Sequence, residues 1–175
     1  MLELPSYMTD SIVEAGLNLL ESKGVAHAAK LDNFLSKESD EIYYGAVRLT
    51  GDFTGRCEIF TNLESLIETH SNKRYGKELT QADALDWVGE IANRFSGSFK
   101  SILAQYDGTT QLGGFENKII QNLPKPEKQQ CIEAIIGNEE VSIRAIFIGK
   151  FDGTIDFSKE PKKSKSIAPS KLISF

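Results

Sequence analysis

The chain has 175 residues, of which 40% are hydrophobic and 26% charged, and its formal net charge is −5. That length is one domain's worth, able to bury roughly 70% of its unfolded surface, and acids that outnumber bases, with no basic stripe among the aromatics, argue against nucleic acid as a partner. The opening Met1-Leu2-Glu3-Leu4-Pro5 lacks a basic and then apolar leader, and no apolar run approaches a membrane span, so a cytoplasmic location with no membrane contact is expected.

Thr9 or Asp10 can cap a first helix that runs to about Ser22, with Ile12, Val13, Leu17, Leu19 and Leu20 as its apolar side and Gly24 as its end. Glu14 and Asn18 in this helix read as solvated surface. Val25 to Phe34 is an expected strand, followed by a polar loop from Ser36 to Asp40. Ile42 to Leu49 and Arg56 to Thr61 are expected to pair as a hairpin about the turn Thr50-Gly51-Asp52-Phe53-Thr54-Gly55. Cys57, in the second of these strands, and Cys131 stand far apart with no CxxC spacing, and neither His27 nor His70 has a partner at metal-ligand spacing. Both cysteines therefore read as small buried hydrophobes. With no activated nucleophile in view, any chemistry has to come from carboxylates and amides. Asn62 can cap a short helix carrying Leu63, Leu66 and Ile67, which fades through Ser71 to Gly76.

Thr80, with Asp83 three residues on, marks the start of a long helix. Leu85, Val88, Ala92, Phe95, Phe99 and Ile102 recur at steps of three and four, the spacing of one apolar stripe, and the first five are expected to be buried. On the opposite side lies a row of Asp86, Glu90, Asn93 and Gly97. A glycine there costs about 1 kcal/mol against alanine, which suggests a reason to keep that face low.

Beyond Gly108, strand candidates at Thr109 to Phe115 and Lys118 to Ile120 are separated by Glu116-Asn117, and Leu123-Pro124-Lys125-Pro126-Glu127 interrupts regular structure. Cys131 to Ile136 and Val141 to Ile148 read as strands joined at Gly137-Asn138. In the second, Val141, Ile143, Ala145 and Phe147 alternate with Ser142 and Arg144, predicting one buried and one wetter face. The chain then divides into a single domain over 1–150 and a basic C-terminal extension over 151–175, where Lys159, Lys162, Lys163, Lys165 and Lys171 interleave with serines and prolines and a solvated segment is expected. Helices segregated from runs of strands predict an α+β fold, an antiparallel sheet backed by helices around the long central one.

An Asp, three residues, Glu, two residues, Asn and then a Gly one turn on, all in a long helix, resembles the signature of the CheX and CheC phosphatases of bacterial chemotaxis. The matching residues are Asp86, Glu90, Asn93 and Gly97. The order of elements resembles that family over roughly residues 6 to 150, and the single signature is more like CheX than two-motif CheC. Asp10, Glu14 and Asn18 echo the motif at the wrong spacing.

The resemblance implies a CheC/CheX-like fold and a phosphatase that acts on the aspartyl-phosphate of a response-regulator receiver domain. It implies that the phosphorylated receiver supplies Mg²⁺ and a lysine, so that this chain has no metal or cofactor of its own; it offers both monomeric and dimeric relatives, and because CheX-like members pair through strand edges a homodimer is expected. Hydrolysis of a phosphoaspartate needs a group that holds the attacking water. A carboxamide does this without ionising, because its oxygen accepts from water while its nitrogen donates. Asn93 takes that role, Glu90 pairs with the receiver's lysine, Asp86 supports docking at the rim and Gly97 leaves clearance. Trp87 and Arg94 flank the row and are of types enriched at interface hot spots, although the tryptophan is equally placed to pack under the preceding loop. Three readings stay open: a phosphatase, a non-catalytic CheX-like binding module for a receiver or flagellar switch component, and a plain solvated helix face.

Overall fold

The computed structural model describes residues 6–34, 41–70, 78–124, 131–151 and 155–156. They form α1 (Ser6–Ser22), β1 (Ala29–Lys30), β2 (Ile42–Gly51), β3 (Phe53–Asn62), α2 (Leu63–Thr69), α3 (Gln81–Ala104), β4 (Thr110–Ile120), β5 (Cys131–Gly137) and β6 (Ser142–Phe151). The strands make one antiparallel sheet in the order β1-β5-β6-β3-β2-β4, the expected α+β class. α1 lies on β5 while α3 crosses β2, β3 and β4, and the two helices touch over one hydrophobic core.

α3 is the longest element, and its start is chemically marked. Asp83 N–H donates to Thr80 Oγ1 at 3.2 Å while Thr80 N–H donates back to Asp83 Oδ2 at 3.1 Å, a capping box that satisfies two backbone donors. The hydrogen bonds from Thr80 hold the Asp83 carboxyl below the usual carboxylate range. Val88, Ala92, Phe95 and Phe99 are buried as expected, with Phe99 between Phe53 and Phe147 at centroid distances of 4.9 and 4.4 Å. Leu85 is only half buried, because at about 100° per residue it sits at the margin of the stripe.

The helix comes very close to the sheet at Gly45 in β2. A Cβ there would stand 2.7 Å from the Val88 carbonyl oxygen and 3.3 Å from the Ala92 methyl. Only a glycine lets the backbone of α3 rest directly on β2.

Several elements differ from the expected ones. Instead of a strand over 25–34, only Ala29–Lys30 pairs with β5, since His27 turns into the left-handed region at φ 57° and breaks the extended run. α1 begins at Ser6, ahead of Thr9 and Asp10. The β2–β3 turn is tighter than expected, so Phe53 is strand and core. Asp52 Oδ2 fastens that turn to the start of β4 by accepting from Thr109 N–H at 2.6 Å and Thr109 Oγ1 at 2.8 Å. β4 is continuous through Glu116-Asn117 because β2 offers it a ladder along nearly its whole length.

The outer face of β6 is not wet either. Ser142 and Arg144 are both buried, Arg144 Nε meeting Glu133 Oε1 at 2.6 Å with its guanidinium 5.7 Å from the Phe60 ring centroid. Ile42, Tyr44, Ala46, Phe60 and Ile146 form a second apolar cluster on that side. Beyond residue 150, Phe151 pairs with Phe53, and Ile155 is buried in the main core. The rest of the expected extension (157–175), the loop over 36–40, the fading end of the second helix at 71–76 and the Pro126 region lie outside the described residues. Cys57 is buried, its thiol pushed up to about 12 by burial, and both it and half-buried Cys131 are free. No described helix is long and apolar enough to cross a membrane.

Gly45→Ala is expected to lower unfolding stability by about 1–3 kcal/mol, the usual cost of overpacking, because α3 has to lift from the sheet. Urea unfolding followed by circular dichroism measures it.

Candidate functional site

Turning the apolar stripe of α3 onto the sheet leaves the opposite row facing outward. Asp86 and Asn93 are exposed, and Glu90 and Gly97 are partly exposed. Residues three and four apart are neighbours on a helix surface, so the four form one continuous strip.

Glu90 Oε1 meets Arg94 Nε at 2.7 Å, with the two side chains 42% and 45% exposed. Such a surface pair at i,i+4 is worth only about 0.3–0.5 kcal/mol. It orients the carboxylate without committing it, and a cation brought by a partner can take Arg94's place. Asn93 makes no side-chain hydrogen bond among the described residues, and neither does Asp86. An amide held by a rigid helix, with its oxygen and nitrogen both open, is suited to orienting a water. The i,i+4 spacing of Glu90 and Arg94 is a pairing signal that the sequence already carries.

Gly97 has nothing within 4 Å of where its Cβ would stand. Its absence of a side chain serves no contact inside the described residues, unlike Gly45. Beside it a groove of about 780 Å³ separates α3 from α1, with Arg94, Gly97, Ser98 and Ser101 on one bank and Glu14 and Asn18 on the other. Glu14 and Asn18 are exposed, as expected for a solvated face.

Trp87 sits differently from the rest. Its indole Nε1–H donates to Thr69 Oγ1 at 3.0 Å, the His70 ring meets it edge-on at 5.1 Å, and Lys23 Nζ lies 4.6 Å from its centroid. The half-buried ring is engaged in holding α2 against α3, whereas Arg94 is exposed beside the row.

Sequence reasoning did not single out Phe115 of β4, the most exposed large hydrophobic side chain among the described residues at 71%. Its ring borders the other flank of the row, at Gly89. The signal was hidden because two glycines interrupt the alternation of β4.

No family model matches the sequence, and no curated protein matches it. Solved structures do. The chain superposes on the CheX-CheY-BeF3-Mg²⁺ complex from Borrelia burgdorferi with a TM-score of 0.61 at 13% identity, covering 81% of this chain and 96% of that one. The chain has the CheX/CheC-like fold. The chemotaxis protein CheX from Vibrio vulnificus gives a TM-score of 0.63 at 14% identity over 80% of this chain and 97% of that one. A CheC-like superfamily protein from Shewanella sp. PV-4 gives 0.61 at 15% identity over 84% and 99%. In the CheX-like fold of this chain, the Asp86–Gly97 row occupies the outer face of the longest helix.

Because Gly97 costs helix stability and fills no internal requirement, Gly97→Ala is expected to raise unfolding stability by about 0.5–1 kcal/mol. Thermal unfolding monitored by circular dichroism checks the sign.

Proposed function

We propose that this protein is a phosphatase for the aspartyl-phosphate of a response-regulator receiver domain, with Asn93 orienting the attacking water. The observation that carries the reading is the outward pair on α3: an unengaged amide one turn from a carboxylate whose described partner is an exposed arginine. The CheX-CheY complex among the similar structures supports a receiver as the partner.

In-line attack on phosphorus needs a water held opposite the leaving aspartate oxygen, and positioning is the main protein contribution to phosphoryl transfer. Asn93 accepts from the water through its amide oxygen and donates through its nitrogen. Glu90 exchanges Arg94 for the receiver's lysine on docking, which sets the angle of approach. Asp86 lies a turn back, at the rim, and Gly97 lets the receiver's loops close over the helix. Mg²⁺ comes with the receiver, where it neutralises the phosphoryl oxygens, and this chain adds no metal.

The row also separates this reading from a binding module. Asn93→Ala is expected to reduce receiver dephosphorylation by at least about a hundredfold while docking and thermal stability stay near wild type. Glu90→Ala should lose binding as well as rate, since truncating one partner of a charge pair desolvated in a complex costs about 2–5 kcal/mol. Asp86→Ala should do less, with an effect that fades as salt is added. Phosphate release from the source organism's phosphorylated receivers measures all three. Full activity in Asn93→Ala would remove the water-orienting role and leave a binding module that senses or sequesters a receiver.

We also propose a homodimer. β4 pairs only with β2 among the described residues, which leaves its other edge open to a second copy. Light scattering at high micromolar concentration is expected to give twice the monomer mass.

A further inference from the structure

The edge strand β4 has one irregularity, and it lies beside the row. Phe115 is in register with Val47 and Leu112 with Leu49, so Gly113 and Gly114 together oppose Arg48 in a bulge. Three residues apart, Leu112 and Phe115 would point to opposite faces of a regular strand. The bulge returns both to the face of Val47 and Leu49, which are buried in the core shared with α3.

Neither Leu112 nor Phe115 reaches that core. β4 is an edge strand of the sheet, and α3 packs against it. Asn117 Nδ2 donates to the Leu85 carbonyl at 3.0 Å and so fixes the spacing of strand and helix. One turn later Gly89 faces the strand, where a Cβ would stand 3.5 Å from Asn117 Nδ2 and 3.8 Å from the Phe115 ring. The ring thus lies beside the helix at Gly89, 71% exposed, with Leu112 further along at 37%. Gly89 is three residues after Asp86 and four before Asn93, so the ring adjoins those two on the helix surface.

We infer that Phe115 and Leu112 form an apolar docking shelf that grips the receiver beside its phosphorylation site, while the row of α3 addresses the phosphoaspartate. The inference rests on the phosphatase reading of that row. Continuity selects the occupant: a body that brings a lysine to Glu90 and a phosphoryl group to Asn93 must also cover the adjoining ring. The arrangement has the anatomy of a recognition surface, an exposed aromatic side chain with polar and charged groups at its side. On the receiver the shelf calls for an apolar side chain next to the catalytic lysine.

The test measures binding of the source organism's receiver domains, each locked with beryllofluoride and Mg²⁺, to the full chain and to Phe115→Ala, Phe115→Leu and Asn93→Ala at matched thermal stability. Phe115→Ala should weaken binding at least about tenfold and raise KM with little change in kcat, Phe115→Leu should restore most of it, and Asn93→Ala should bind like wild type. Equal binding by wild type and Phe115→Ala overturns the shelf and leaves the phosphatase reading standing. A Phe115→Ala protein that binds normally but changes its mass in light scattering places the ring in a self-interface, which also overturns the shelf. Failure of every receiver to bind the wild type overturns both.

Discussion

The close contact between α3 and β2 is the constraint from which the rest follows. At Gly45 the helix backbone rests on the strand backbone, with the Val88 carbonyl where a side chain would otherwise stand. This sets the height of the helix above the sheet and lets Phe95 and Phe99, further along it, reach the core. With the inner stripe locked, rotation of the helix about its axis is fixed. The outward direction of Glu90 and Asn93 is therefore a consequence of core packing, although neither residue touches the core.

Such a platform suits a reaction in which placement matters more than acid–base chemistry. A functional group on a helix is held more closely than one on a loop, and here the residue before Asn93 is a buried alanine and the second after it a buried phenylalanine. The electrostatics are deliberately weak at the surface. Glu90 and Arg94 are close in space but well solvated, so the pair stabilises the free protein little and yields readily to a partner's charge. Other ion pairs, each with one buried partner, stand elsewhere: buried Arg144 with half-buried Glu133, and buried Glu58, which pairs with exposed Arg56 and accepts from Tyr44 Oη at 3.1 Å, lie on the opposite face of the sheet. Removing Glu133 would leave the Arg144 guanidinium poorly solvated, and these pairs belong to the architecture of the sheet.

Glycine plays three separate parts around the site. Gly45 admits a helix, Gly89 faces Asn117 and Phe115 with room for a methyl group at ordinary contact distance, and Gly97 admits nothing from the described residues. The first is explained by a contact within the chain. The third keeps an opening on the surface that carries Asn93, at a cost in helix propensity of about 1 kcal/mol.

Much of this was legible in the linear chain. The period of Val88, Ala92, Phe95 and Phe99 determined a helix with a buried side, Thr80 and Asp83 determined its start, and the same period placed Asp86, Glu90, Asn93 and Gly97 on the far side. Those are local properties, set by 3.6 residues per turn and by the backbone donors at a helix terminus. The hairpin of β2 and β3 and the pairing of β5 and β6 were also readable, since adjacent strands joined by short turns need no distant partner. What only the tertiary structure decided depends on partners far apart in sequence. β4 became one strand because β2 supplied its ladder, Arg144 was buried beside a second apolar cluster on the outer face, Ser142 was bonded to Thr61 and Ser65, and Trp87 was drawn to Thr69 and His70. The flank of the site was hidden for the same reason. Phe115 adjoins Asn93 only through a strand bulge, an edge position in the sheet and the height at which α3 crosses it, and no local pattern encodes the coincidence of those three.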